Sequence, residues 1–307
     1  MALILLVLSI APVVFFGFLI YRKDREKEPT ETLVKLFMCG IGSTFLTLFL
    51  TKILTTIIPF FGYEMNQLNI LTLIPYVFLG VALIEEFCKW IFVYKLEYND
   101  QEFNHLYDGI VYATFVSLGF ACFENILYVF SYGIQTAIVR ALLAVPGHLC
   151  DGIMMGYYLS LAKTALFNNN KSLSKRNLFF SLAVPTVAHG VYDYLLFASE
   201  ISNNNIFILF FLVFVVFFFM LASRKVKQLE HTTLNLNPNY ITKNARAKMQ
   251  YQMYNNGYIY PQYQQPQNNY APDSFNPYNN QEIKTKYCSN CGAPIIGKYC
   301  SNCGKEV

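Results

Sequence analysis

The chain has 307 residues, of which 54% are hydrophobic and 14% charged, whereas a typical soluble domain has about 25% charged residues. This composition excludes an ordinary soluble domain, and the net charge of +4 is too small to indicate a nucleic-acid-binding protein. The apolar residues lie mostly before residue 224, in runs near the length of about 20 residues that a helix needs to cross a bilayer. We therefore expect an integral membrane protein in contact with lipid.

Seven apolar runs predict seven transmembrane helices. Backbone amides inside lipid must be hydrogen-bonded within their own segment, and runs of this length can do so as helices. The runs cover about residues 2–20, 33–61, 70–94, 107–130, 136–162, 178–198 and 206–222. The predicted fold is an all-α, polytopic membrane helical bundle formed by residues 1–224.

The basic residues predict the orientation of the bundle. No basic residue precedes the first run and no clear cleavage site follows it, so we interpret it as an uncleaved helix and not as a signal peptide. Basic residues occur in the first, third and fifth loops and at the start of the tail, namely Arg22, Lys23, Arg25, Lys27, Lys95, Lys163, Lys171, Lys175, Arg176, Arg224, Lys225 and Lys227. By the positive-inside rule, the N-terminus lies outside and the C-terminal tail in the cytoplasm, and the expected location is the bacterial plasma membrane.

The C-terminal part of the chain changes character. Residues 225–286 are rich in Asn, Gln, Tyr and Pro without a hydrophobic period, which predicts a disordered linker. Residues 287–307 contain a CxxC–x8–CxxC pattern whose cysteines are Cys288, Cys291, Cys300 and Cys303. Two such turns can supply four thiolates to a tetrahedral structural zinc, and the segment is too short to fold on a hydrophobic core.

Disulfides or free thiols are the alternative for these four cysteines, and the predicted cytoplasmic side disfavours disulfides. The segment resembles the short zinc-ribbon tails of bacterial membrane proteins, which implies a binding site for a cytoplasmic protein partner. The other cysteines lie in apolar runs and are expected to be small core residues. They are Cys39, Cys88, Cys122 and Cys150.

Polar residues interrupt the third to sixth apolar runs. They are Glu85, Glu86, Lys89, Glu124, Asn125, His148, Asp151, His189 and Asp193. An ionisable side chain at membrane depth costs several kcal/mol and is by default a candidate for function. Each also has a purely structural interpretation, as a packing ion pair, an interhelical hydrogen bond or a residue near the interface. We favour function because so many of them occur together.

Their spacing supports a common site. Four lie near the middle of their runs at roughly one depth, namely Glu85, Glu86, His148 and His189. Glu124 lies several residues nearer the outside, and Pro146 and Pro185 precede the two histidines. A proline frees a carbonyl and kinks a helix, which suits a water-filled cavity.

Two carboxylates and two imidazoles around water can hydrolyse a peptide bond. Lys89 follows Glu85 by four residues and Asp193 follows His189 by four, so each pair shares a helix face. A glutamate can take a proton from water, and a histidine can hold an oxyanion or protonate a leaving amine. Two histidines and a glutamate could instead hold a metal with an open position.

These motifs resemble the PrsW family of intramembrane proteases. The matching stretches are Glu85-Glu86-x-x-Lys89-Trp90, Ser117-Leu-Gly-Phe-Ala-Cys-Phe-Glu124-Asn125-Ile-Leu-Tyr128, Arg140-Ala-Leu-Leu-Ala-Val-Pro-Gly-His148 with Met155-Gly-Tyr-Tyr, and Ala188-His189-Gly-Val-Tyr-Asp193. They cover about residues 80–196, less than half of the chain.

The resemblance implies a membrane-embedded peptidase, distantly related to the CAAX prenyl protease and bacteriocin-processing group. It implies cleavage of membrane-anchored proteins such as anti-sigma factors, by a mechanism described for the family both as glutamic and as metal-dependent. The catalytic residues implied by position are Glu85, Glu86, Glu124, His148 and His189, with Lys89, Asn125 and Asp193 in support. A catalytic metal would be held by Glu124, His148 and His189.

Within this interpretation we favour Glu86 as the residue that activates water, with Lys89 tuning the glutamate pair. Asp151 matches no motif of the family and receives no role, and an aspartyl mechanism with Asp193 is a weak alternative. Two other classes of protein stay open. The first is a transporter or channel that uses the same polar cavity, and the second is an inactive membrane scaffold.

Overall fold

The computed structural model describes residues 2–230, and the regular secondary structure of this part is helical. Its nine α-helices are α1 (Ala2–Lys23), α2 (Thr30–Ile57), α3 (Ile70–Pro75), α4 (Leu83–Leu96), α5 (Asp108–Tyr132), α6 (Ile134–Leu142), α7 (Ala144–Phe167), α8 (Lys171–Ser202) and α9 (Ile206–Glu230). The 3₁₀ turns Pro59–Gly62 and Met65–Gln67 follow α2. A π-helical stretch, Tyr76–Ala82, joins α3 directly to α4.

These helices confirm the predicted all-α membrane bundle. The third predicted helix consists of α3, the π-helical stretch and α4, and the fifth consists of α6 and α7. In the described part, six spans are long and apolar enough to cross a membrane, namely Ala2–Lys23, Thr30–Ile57, Ile70–Leu96, Asp108–Tyr132, Ile134–Phe167 and Ile206–Glu230. Helix α8 has 32 residues, which is long enough for a seventh crossing, but it carries more polar side chains.

Two predicted segments fall largely or wholly outside the described residues. The linker predicted over residues 225–286 is described only to Glu230, where α9 ends beyond the boundary set at residue 224. The predicted zinc ligands Cys288, Cys291, Cys300 and Cys303 lie outside the described residues.

The two prolines that precede the histidines, Pro146 and Pro185, behave differently. The fifth predicted helix breaks at Leu143, three residues before Pro146, where the backbone leaves the helical region. A proline commonly disturbs the turn before it, because it lacks an N–H and its ring clashes with the preceding turn. Helix α8 continues without a break through Pro185.

Helix α5 is the central element of the bundle and packs on α1, α2 and α7. Its crossings are close because small residues meet there: a methyl group added at Gly40 of α2 would collide with the carbonyl oxygen of Val116. At the α5–α7 crossing, a methyl group added at Gly156 would collide with the backbone of Gly109. Small residues let membrane helices approach to backbone contact, which brings the polar residues of α5 and α7 within reach of each other.

A second polar cluster lies at the end of the bundle formed by the α1–α2 and α4–α5 loops. The hydroxyl of Tyr112 donates to Oε2 of Glu28 over 2.7 Å, and Asp108 accepts two loop N–H groups. Burial raises the pKa of Asp24 to about 6. Burial, with the negative charge of Asp108 nearby, raises the pKa of Glu28 well above its usual range.

Candidate functional site

Four helices bring the predicted polar residues of the membrane interior together. Helix α4 carries Glu85, Glu86 and Lys89, α5 carries Glu124 and Asn125, α7 carries His148 and Asp151, and α8 carries His189 and Asp193. Glu86 and Lys89 are fully buried at 0% exposure, and the two histidines are 7% exposed. The site is therefore enclosed by protein at its centre.

Glu86 joins α4 to α8. Its Oε1 lies 2.6 Å from Nζ of Lys89 and 2.9 Å from Nδ1 of His189. Its Oε2 is buried and has no hydrogen-bond partner among the described residues. Buried polar atoms are normally paired with protein, water or an ion. Glu86 thus presents one unpaired ligand atom to the interior of the site.

His148 is held at both ring nitrogens. Its Nε2 lies 2.9 Å from Oε2 of Glu124, and its Nδ1 lies 3.2 Å from Nζ of Lys89. The ring also packs edge-on against Phe120, with 5.5 Å between ring centroids. These contacts fix the imidazole from two sides. Glu124 lies behind the ring as seen from Glu86.

His189 contacts three carboxylates. Besides Glu86, its Nε2 lies 3.5 Å from Oδ2 of Asp193 and 3.8 Å from Oε2 of Glu85. The predicted His189–Asp193 pairing across one helix turn is therefore present. The predicted Glu85–Lys89 pairing is looser at 4.0 Å, because Lys89 lies closer to Glu86.

The mouth of the site is formed by side chains that are partly exposed. Those of Glu85 and Asp193 are each 14% exposed, that of Glu124 is 18% exposed and that of Arg140 is 13% exposed. These side chains are the least buried part of the site.

Four of these residues form a group with the geometry of a metal site. Glu86, His148, Asp151 and His189 each offer a ligand atom, and all four atoms lie within 4.8 Å of one another. Oδ1 of Asp151 is buried without a hydrogen-bond partner among the described residues, as is Oε2 of Glu86. Two carboxylates and two imidazoles are a suitable ligand set for zinc and related metals. The residues present therefore fit a metal ion.

This group differs from the predicted set of metal ligands. The sequence indicated Glu124, His148 and His189, but Glu124 is not a member of the group. It bonds instead to the far nitrogen of His148 and to Nη2 of Arg140, at 2.9 and 2.7 Å. Glu86 and Asp151 supply the carboxylates. Glu124 contacts His148 from outside the group, in the position that carboxylates commonly take behind metal-binding histidines.

The sequence analysis named Asp151 but assigned no role to it or to Arg140. The available signal for Asp151 was its position three residues after His148, which places both on one face of α7. Arg140 could not be placed, because its contact with Glu124 depends on the break between α6 and α7. Asn125 accepts from Nε of Arg140 over 2.8 Å and donates to the carbonyl of Ser9 over 2.8 Å. It thus supports Arg140 and does not enter the metal group.

Known proteins with similar sequences point to one family. A family model described as "PrsW family intramembrane metalloprotease" matches residues 28–222. A Geobacillus kaustophilus protein named Protease PrsW is 38% identical over 195 residues, covering 62% of this chain and 79% of that protein. No solved structure matches the chain.

Two further relatives carry the same name. Protease PrsW of Oceanobacillus iheyensis is 36% identical over 189 residues, covering 61% of this chain and 80% of that protein. Protease PrsW of Bacillus subtilis is 36% identical over 192 residues, covering 62% of this chain and 81% of that protein. The matched region contains all nine polar residues of the site and leaves out the cysteine-rich tail.

Proposed function

Because the chain belongs to the PrsW family of intramembrane metalloproteases, we propose that it is an endopeptidase that cuts membrane-anchored proteins at the Glu86 site. The observation that carries the proposal is the buried group of Glu86, His148, Asp151 and His189, whose ligand atoms lie within 4.8 Å. These residues would hold a metal ion that supplies Lewis-acid polarisation of the scissile carbonyl.

Glu85 is the better placed of the two glutamates to take a proton from water. Oε1 of Glu86 is engaged by Lys89 and His189, and its unpaired Oε2 is the oxygen that would bind the metal. Oε2 of Glu85 has no hydrogen bond within the described residues, and the Glu85 side chain is 14% exposed. A general base must reach its proton in a plausible substrate position, so we assign this role to Glu85 in place of Glu86.

Glu85 is also the proposed proton donor to the leaving amine, since it carries the proton taken from water. Its Oε2 lies 3.8 Å from Nε2 of His189, which keeps the carboxyl beside the group that would hold the metal. Asp193, at 3.5 Å from the same nitrogen, orients the His189 ring. A carboxylate in this position is common behind a metal-binding histidine.

The two glutamates can be separated by one experiment. Glu86→Gln should lower zinc affinity and activity together, whereas Glu85→Gln should abolish activity and leave zinc bound. Zinc content of the purified full chain and the appearance of new protein termini in cells would be measured, with exposed Glu200→Gln as the control. If both variants retain the wild-type termini, the transporter or scaffold interpretation replaces the protease proposal.

The same proteomic comparison addresses the substrate. We propose membrane-anchored regulatory proteins of the anti-sigma-factor type, which the depth of the site and the family resemblance support. Termini that vanish in Glu85→Gln should therefore map to residues in or next to transmembrane segments. Termini confined to soluble proteins would contradict this substrate class.

The cysteine-rich tail is proposed to hold a structural zinc for binding a cytoplasmic protein partner. The support is the spacing of Cys288, Cys291, Cys300 and Cys303 in the sequence. The full chain should contain one more zinc equivalent than a Cys288→Ser/Cys303→Ser variant. Equal zinc content would contradict the proposal.

A further inference from the structure

We propose that Arg140 is a positioning residue that fixes, through Glu124, which ring nitrogen of His148 faces the metal group. The inference rests on the proposed function, because it concerns how His148 is presented to that group. Arg140 lies on α6 and is not a member of the metal group. It acts on His148 through two contacts, Arg140–Glu124 and Glu124–His148.

Arg140 is held by three neighbours on α5. Its Nη2 donates to Oε2 of Glu124 over 2.7 Å, and its Nε donates to Oδ1 of Asn125 over 2.8 Å. The guanidinium lies over the ring of Tyr128, 4.3 Å from the centroid. Because a guanidinium carries its donors in one rigid plane, these contacts define the position of the Glu124 carboxylate.

One oxygen of Glu124 serves both Arg140 and His148. Oε2 lies 2.7 Å from Nη2 of Arg140 and 2.9 Å from Nε2 of His148. A carboxylate paired with a guanidinium accepts hydrogen bonds and does not donate them. Nε2 of His148 must therefore carry the hydrogen in this contact.

The other side of the ring requires the same tautomer. Nδ1 of His148 lies 3.2 Å from Nζ of Lys89, and an ammonium group donates but does not accept. Nδ1 is therefore the nitrogen with the electron pair, and it points toward Lys89, which also bonds Glu86 of the group. A histidine binds a metal through such a nitrogen while its other N–H is held by a carboxylate. Two independent neighbours thus agree on one tautomer.

Arg140 makes this arrangement depend on α6. The helix before the break contributes the cation, and the helix after it contributes His148. Without the guanidinium, the Glu124 carboxylate loses the donor that holds its Oε2 in line with Nε2. Lys89 would then be the only hydrogen-bond partner that holds the ring, and one contact does not fix the rotation of an imidazole, so Nδ1 would no longer be presented consistently.

The direct test reads the tautomer of His148 in the metal-free full chain. Protein labelled with ¹⁵N at histidine would be placed in lipid bilayers and studied by solid-state NMR, with His148 assigned by its loss in His148→Gln. Wild type should show protonated Nε2 and unprotonated Nδ1. Arg140→Gln should show a mixture, and the exposed Arg224→Gln should match wild type as the control for loss of charge.

Zinc affinity and kinetics provide the second measurement. Removing a residue behind a metal ligand typically weakens metal binding by about 10–100-fold, and we expect Arg140→Gln to do so. Activity should fall through kcat with KM little changed. Arg140→Lys should be intermediate, since it keeps the charge near Glu124 but cannot also bond Asn125.

The alternative is that Arg140 only ties α6 to α5. In that case folded Arg140→Gln would show the wild-type tautomer and zinc affinity, and the inference would be wrong. If Arg140→Gln does not fold, Arg140→Lys decides by the same two measurements. The tautomer is measured without substrate and therefore does not depend on protease activity. An inactive wild type would overturn the proposed protease function, whereas the tautomer measurement would still decide the inference on Arg140.

Discussion

The ammonium group of Lys89 links α7 and α5 to α4. It lies 2.6 Å from Glu86, 3.2 Å from His148 and 4.2 Å from the ring centroid of Phe120, with 0% exposure. A cation buried this completely requires its anionic partner, and the reverse is also true. Lys89 is therefore as much a structural requirement of the site as Glu86.

Lys89→Met should destabilise the protein and inactivate it. Removing one member of a buried ion pair costs about 3–5 kcal/mol, because the other charge remains buried. Thermal unfolding in detergent and the terminus assay would measure the two effects. Lys52→Met, at an exposed position of α2, should leave both unchanged. Wild-type stability of Lys89→Met would contradict the importance of the pair.

Asp151→Asn should lower zinc affinity without unfolding the chain. The side chain keeps its size, but its unpaired oxygen loses most of its negative charge and becomes a poorer ligand. Zinc binding to the purified full chain would be measured by competition with a chelator. Unchanged affinity would remove Asp151 from the metal group.

At this scale the sequence predicted the residue types of the site but not their partners. Glu85, Glu86, His148 and His189 were placed at roughly one depth by counting along helices, and Glu124 was placed nearer the outside. Counting cannot predict which helix faces are turned toward each other. For that reason Glu124 was taken for a metal ligand and Asp151 was given no role.

Among the helices, the α5–α7 crossing decides whether His148 and Glu124 can meet. Gly156→Ala should weaken this crossing, because the added methyl group would meet the backbone of Gly109. Overpacking of this kind costs about 1–3 kcal/mol, which a fall in the thermal unfolding temperature would report. At Gly42 an added Cβ would lie 4.0 Å from Cζ of Phe92, an ordinary contact, so Gly42→Ala should behave as wild type.

The α1–α2 loop should make stability depend on pH. Folding raises the pKa of Asp24 from 3.8 to about 6, so the folded state binds the additional proton between these values. The free energy of unfolding therefore falls as pH rises through this range. Glu28, whose pKa is raised further, extends the fall to higher pH.

Glu28→Gln should remove part of this dependence. The amide carries no charge to bury and can still accept from Tyr112, so the variant should gain thermal stability over wild type more at pH 8 than at pH 5. Unfolding temperatures at both pH values would be compared, with exposed Glu200→Gln as the control. A gain that is equal at the two pH values would contradict a role for the buried charge.

The helical elements were largely predictable because long apolar runs permit few other structures in lipid. The break before Pro146 follows from the rule that a proline disturbs the preceding helical turn, whereas α8 continues through Pro185 despite that rule. The π-helical stretch was not predictable from hydropathy, because one additional residue in a turn leaves composition unchanged. The loop cluster around Glu28 was missed, because its buried acids lie in polar segments whose composition predicts exposed loops.

For the whole molecule, the positive-inside rule predicts that the α2–α3 loop lies outside and the α1–α2 loop inside. A single cysteine at exposed Gln67 should react with a membrane-impermeant maleimide in intact cells. A single cysteine at exposed Thr30 should react only after the membrane is opened. Both would be made in a chain whose eight native cysteines are replaced. The opposite pattern would reverse the orientation.

The π-helical stretch Tyr76–Ala82 lies immediately before the turn that carries Glu85 and Glu86. One residue more or fewer turns the downstream face of a helix by about 100°, since an α-helix has 3.6 residues per turn. Side chains in this stretch can therefore be exchanged during evolution far more easily than residues can be inserted or deleted. Any insertion or deletion there would rotate the two glutamates away from the histidines, although the segment would still form an intact transmembrane helix.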